Sequence, residues 1–218
     1  VSTSLGERDA EDEIYHWSTQ GVFGRLNYNF KEKFLLEFSA RYNGSSRFGE
    51  DSRWGFFPSA SAGYNISKED FWEPIAPYVN TLKLRGSYGS LGNQNNTDNY
   101  LYLLTVTGVS NTNWIIDGQR PPYVLPPELL IPGLTWETIT TLNFGLDAGL
   151  FNNRMSLNFD WYNRKTKDMI GPGETLPYIL GIQSSDRNNA SLVTKGFELS
   201  VGWNDRISAD LAYNLRLT

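Results

Sequence analysis

The chain has 218 residues, a net charge of −5 and no cysteine. That charge, without any basic block, argues against a nucleic-acid binder, and the missing thiols exclude disulfides and thiolate metal sites. No run approaches the ~20 apolar residues of a membrane helix, but a mean hydropathy of −0.42 leaves membrane-crossing strands open, because lipid-facing and lumen-facing residues alternate along them.

Asn, Gly, Ser and Thr are plentiful and aromatics reach 14%. Short alternating runs between turn residues predict an all-β chain of about eight strands. It opens on an acidic, loop-like segment with no signal sequence and stops within an alternating run, so a piece of a longer protein is expected. The first strand is predicted over residues 18–30, with Leu26, Tyr28 and Phe30 against Arg25, Asn27 and Asn29. After "KEK" the second covers 34–43, with Phe34, Leu36, Phe38, Ala40 and Tyr42 opposite Glu37, Ser39 and Arg41. The third covers 54–66, where Pro58 cannot donate to a ladder and marks a bulge or a strand start. The fourth is "TLKLRGSYGSL", with Leu82, Leu84, Gly86 and Tyr88 opposite Lys83, Arg85 and Ser87.

A long segment, residues 91–134, follows. Strands five and six come from "TTLNFGLDAGLFNNRMSLNFDWYNRKTKDMI", in which Leu142, Phe144, Leu146 and Leu157 are assigned to one face and Asn143, Asp147 and Asp160 to the other. A loop near 171–190 leads to strand seven, carrying Phe197, Leu199, Val201 and Trp203. "NDR" is then expected to turn the chain into strand eight, from Ile207 to Leu217.

Several of these runs exceed ten residues, whereas soluble strands are typically ~5–6. Connections after strands one, three, five and seven are mostly tight, and those after two, four and six are longer. This is the layout of an antiparallel up-and-down transmembrane β-barrel segment, with lipid against the apolar face and a wet lumen taking the charges. Tight turns such as "KEK", "FNNR" and "NDR" are then periplasmic, and the segments around Ser46, Asn113 and Ser184 face the cell surface. Trp54, Tyr64, Trp136, Trp161 and Trp203 together fit interfacial girdles at strand ends, although on its own each is more often an ordinary packed aromatic. A soluble or surface-attached β-sandwich that binds carbohydrate is the alternative, and requires two sheets to pair their apolar faces.

Other motifs carry little chemistry. His16, the single histidine, lies in the acidic first segment beside Tyr15 and Trp17 and reads as plain surface rather than as a triad or zinc residue. Gly86, Gly89 and Gly92 lack the spacing of a phosphate loop and instead suggest a bend or bulge. The acidic run from Glu7 to Glu13 could hold calcium but fits no EF-hand, and reads more simply as a solvated loop. No convergent catalytic set, metal site or cofactor is predicted. In the long segment, Tyr100, Tyr102, Trp114 and Tyr123 lie among Asn and Gln residues. Such rings stack on sugars while amides bond hydroxyls, so these four are candidate substrate contacts. Packing of the loop itself, or docking of a partner, would explain them as well.

The stretches "FGRLNYNFKEKFLLEFSARYNGSSRFGEDSRWGFFPSASAGYNISKEDFW", "LKLRGSYGSLGNQN", "LTWETITTLNFGLDAGLFNNRMSLNFDWYNRKTKDMI" and "NNASLVTKGFELSVGW" together resemble the barrel of SusC/RagA-like TonB-dependent outer-membrane transporters of Bacteroidetes. The resemblance implies a segment of a barrel of about 22 strands, closed by a plug. It implies import of glycans or peptides under a SusD-like surface lipoprotein, driven through TonB. Residues 1–218 would then all belong to the barrel domain, with the plug, the TonB-contacting part and the barrel's C-terminus lying outside them.

Overall fold

In the computed structural model, the structure describes residues 14, 16–95, 102–104, 106, 108–109, 114–125, 127, 133–181, 184, 186–208 and 211–218. One antiparallel sheet dominates. Its strands are β1 (Thr19–Phe30), β2 (Phe34–Ser45), β3 (Trp54–Asn65), β4 (Val79–Asn93), β7 (Glu137–Leu150), β8 (Met155–Gly171), β9 (Arg187–Arg206) and β10 (Ala212–Leu217), in that spatial order. The segment after β4 carries a small separate hairpin, β5 (Gly108–Val109) with β6 (Tyr123–Val124). Every neighbour in the main sheet is next in sequence once that hairpin is set aside, which is an up-and-down meander.

Paired residues in an antiparallel ladder share a face, so the register tests the alternation directly. One row runs Tyr28, Leu36, Ala62, Gly86, Phe144, Trp161 and Phe197, and the next runs Phe30, Phe34, Tyr64, Leu84, Leu146, Phe159 and Leu199. The opposite face carries the row Asn27, Glu37, Ser61, Ser87, Asn143 and Tyr162. The apolar rings are largely exposed, Phe144 and Phe197 among them, and among the described residues no second sheet covers them. The described residues therefore do not form a sandwich. A packed cluster of buried apolar side chains, Phe48, Phe57 and Trp136, sits at the long-connection end of the polar side.

The tight ends differ in construction. "KEK" closes on Lys33 N–H donating to the Phe30 carbonyl at 2.9 Å. Both Lys31 and Glu32 adopt positive φ (52° and 57°), the type I′ geometry that matches strand twist. In "FNNR", Phe151, Asn152 and Asn153 are all left-handed. The β9–β10 turn is displaced from "NDR". β9 runs on through Arg206, and the chain reverses where Ile207 N–H donates to the Leu211 carbonyl at 2.9 Å. Ala209 and Asp210 of the expected eighth strand lie outside the described residues. β9 also begins at Arg187, well before the alternation from Phe197 onward. Its first half, RNNASLVTK, lacks a clean alternation because strands of 17 and 20 residues (β8 and β9) exceed the ~9–11 needed to cross a bilayer. The surplus is under no pressure from lipid to alternate.

The expected aromatic girdles are partly redrawn. Phe34 stacks on Tyr64 (centroids 4.8 Å apart) at one end and Tyr42 on Trp54 (4.9 Å) at the other. From Phe34 to Tyr42 the strand rises ~26 Å at ~3.3 Å per residue, about the height of an outer-membrane apolar band once tilt is allowed for. Phe151 and Trp203 meet at 6.3 Å at the tight end. Trp161 instead lies mid-strand, opposite Phe144. Trp136 is 5% exposed and packs in the small core, so it is not a girdle residue.

Pro58 is neither a strand start nor an isolated bulge. The β2–β3 ladder passes through Ala40↔Pro58 unbroken. The β3–β4 ladder runs only from Ser59↔Gly89 to Asn65↔Lys83 and stops beside it. The missing N–H thus falls on the β4 side, and the two strands part above that point.

Candidate functional site

The polar face is organised by depth. Midway, the Arg85 guanidinium donates from Nε to Asp147 at 2.9 Å and from a terminal nitrogen to Asp160 at 2.7 Å. It reaches Asp160 by lying across Gly145, where a Cβ would come within 2.5 Å of its Cζ. One cation held by two carboxylates on three adjacent strands locks them in register. Arg25 and Glu37 form a looser pair at 3.7 Å.

At the tight-turn end, Lys33 Nζ meets Glu69 at 2.9 Å and Asp70 at 3.7 Å, and the Tyr64 hydroxyl donates to Glu69 at 3.1 Å. The ammonium of Lys33 holds the Glu69 carboxyl below its ordinary range, and Glu69 in turn raises Lys33. Lys68 lowers Glu32 in the same way. These contacts pin the β3–β4 connection beneath the β1–β2 turn.

The opposite end is held by buried polar groups. Glu137 is buried; it accepts from Asn93 Nδ2 at 2.7 Å and from the Ile170 backbone N–H at 3.1 Å. That N–H belongs to the irregular stretch where the β8–β9 register shifts around Met169. Asn188 exchanges hydrogen bonds with the Thr135 backbone, at 2.8 Å and 3.0 Å. Nearby, the Phe57 ring fills the space where strands β3 and β4 part. Trp136 packs edge-on against it at 5.6 Å, and its Nε1–H donates to the Arg53 carbonyl at 3.0 Å. Sequence reasoning missed this core, because Phe48 arrives from the β2–β3 connection and only its return onto the sheet buries it.

Below this rim a recess of about 500 Å³ opens on the polar face, lined by Gln20, Phe23, Arg41, Asn43, Leu91 and Asn93 among others. None of these six had been singled out as a site. Their signal was an apolar residue at a polar-face position: Phe23 pairs with Arg41, and Leu91 with Ile139.

The three candidate aromatics among the described residues, Tyr102, Trp114 and Tyr123, are dispersed. Tyr102 lies against Gly49, with ring carbons 3.8–3.9 Å from where a Cβ would be, and its hydroxyl is 3.5 Å from the Ser46 carbonyl, so it packs on the β2–β3 connection. Trp114 is 75% exposed. Tyr123 lies in the β5–β6 hairpin, half-exposed. Tyr100 lies outside the described residues, as do Asn113 and the acidic run from Glu7 to Glu13.

Residues 7–218 match the family model for the TonB-dependent receptor-like β-barrel. The chain is 34% identical over 193 residues to TonB-dependent receptor P3 of Formosa agariphila, covering 88% of this chain and 19% of that protein. It is 34% identical over 194 residues to TonB-dependent receptor SusC of Bacteroides thetaiotaomicron, again covering 88% and 19%. The structure of the RagAB peptide importer in its "open-open" state superposes with a TM-score of 0.75 at 31% identity, over 92% of this chain and 22% of that one. The chain thus spans about a fifth of the length of the curated relatives it matches.

Proposed function

The chain belongs to the TonB-dependent receptor-like β-barrel family, and on that premise we propose that it forms part of the wall of an outer-membrane importer of glycans or oligopeptides. The carrying observation is the pair of opposed faces. Unbroken apolar rows cross the sheet on one side, and on the other the Arg85–Asp147–Asp160 lock lies at the same depth. Lipid is the solvent that tolerates the first face, and a hydrated lumen the second.

In this reading the β strands are scaffold, and the work is binding and passage rather than catalysis. The plug and the part that contacts TonB belong to the remainder of the protein. A SusD-like surface lipoprotein covers the long-connection end, where Trp114, Tyr123 and Tyr100 would meet either cargo or that lid. Tyr102, already engaged with the β2–β3 connection, contributes by fixing the loop. The relative SusC and the neighbour named a peptide importer support nutrient uptake.

Orientation tests the reading. Single cysteines replacing Glu50, in the β2–β3 connection, and Asn152, in the β7–β8 turn, are both exposed positions in a segment without native cysteine. Probed in the full-length protein on whole cells with an impermeant thiol reagent, position 50 should label and position 152 should not. The reverse pattern would invert the barrel and remove the proposed lid and direction of uptake.

A further inference from the structure

We propose that the recess beneath the rim recognises the carboxylate of a short, extended cargo through Arg41, an inference that rests on the importer reading. Two other arginines on the polar face are held by carboxylates: Arg25 by Glu37, and Arg85 by both Asp147 and Asp160. Arg41 makes no ion pair among the described residues. It is held in register between two aromatic positions, Phe23 on β1 and Phe57 on β3. Its side chain is exposed and lines the recess. An incoming carboxylate can meet it through a planar, two-pronged contact that lysine cannot imitate.

The surroundings fit the rest of such a ligand. Phe23 is 76% exposed and Leu91 is also uncovered, so they offer apolar surface on an otherwise polar wall. Asn43 lines the same recess and carries an amide, which serves as both donor and acceptor. The volume of about 500 Å³ lies within the usual range for small-ligand sites. Its place at the long-connection end puts it where cargo would first meet the wall.

A carboxylate can come from a peptide terminus or from a uronate, and the test separates them. Two matched pairs of probes are titrated against the purified full-length protein: an extended hexapeptide with a free or an amidated C-terminus, and trigalacturonate or neutral maltotriose. The charged member of one pair should bind about tenfold more tightly than its neutral twin. Arg41→Gln should erase that preference while leaving the neutral probe's affinity unchanged, and Arg41→Lys should keep part of it. Lys83→Gln, which removes a like charge elsewhere on the polar face, should leave it intact. The pair that shows the preference identifies the source.

No charge preference in the native protein would overturn the proposal. So would a preference that survives Arg41→Gln, or one lost equally in Lys83→Gln. The importer reading has its own failure, an absence of any uptake defect when the whole gene is deleted, and that result does not depend on position 41.

Discussion

Phe57 starts on the polar side of β3 and ends against β4, with its ring where a side chain at position 92 would begin: a Cβ on Gly92 would lie 2.0 Å from the ring's Cζ. The glycine is therefore required by the ring, and the ring by the gap that Pro58 leaves. Gly92→Ala should cost roughly 1–3 kcal/mol, and Phe57→Ala about 3 kcal/mol, read from the unfolding of the full-length protein. In the double variant the glycine penalty should vanish, a coupling of opposite sign to the single effects; strict additivity would show that the ring does not occupy that space. Sequence alone marked both Pro58 and the glycines as irregular but could not join them, since their link is a side chain crossing between strands. The Arg85 lock was half legible in the same way. Alternation placed Arg85, Asp147 and Asp160 on one face, while their meeting depends on registers set by two separate hairpins.

At the scale of elements, alternation located the strands well wherever lipid selects one face, and failed where strands leave it, as in the first half of β9 and at "NDR". The same boundary governs mutational cost. Phe144→Arg, on the apolar face near mid-depth, should cost ~2–4 kcal/mol, whereas Asn143→Arg should cost little; equal costs in detergent or bilayer unfolding would contradict the face assignment. The tight-turn clamp makes a separate prediction. Because Lys33 lowers Glu69 below 4.5, the carboxylate's contribution is fully present above that pH and is lost as pH falls through the lowered folded value. Because Glu69 raises Lys33 above 10.5, that half is present below pH 10.5 and lost only as pH rises past the raised value. Stability curves of the native protein and of Glu69→Gln should therefore differ at neutral pH and converge well below pH 4.5. A difference that persists in acid would mean the clamp works through packing rather than charge.

At the scale of the whole molecule the sheet is a piece of barrel wall, with one face for lipid and the other for a wet interior in the reading proposed above. The fold class was plain from the sequence because two solvents imprint a period of two over long runs. The rim was not, because its order depends on connections that return onto the sheet, such as Phe48 onto Trp136. The central claim is which solvent each face meets. Nitroxide labels at positions 144 and 143, adjacent in β7 but on opposite faces, should report it in the full-length protein reconstituted in a bilayer. The label at 144 should collide mainly with oxygen, which dissolves in lipid, and the label at 143 should favour a water-soluble nickel chelate. Equal collision ratios at the two sites, or the reverse order, would contradict the account.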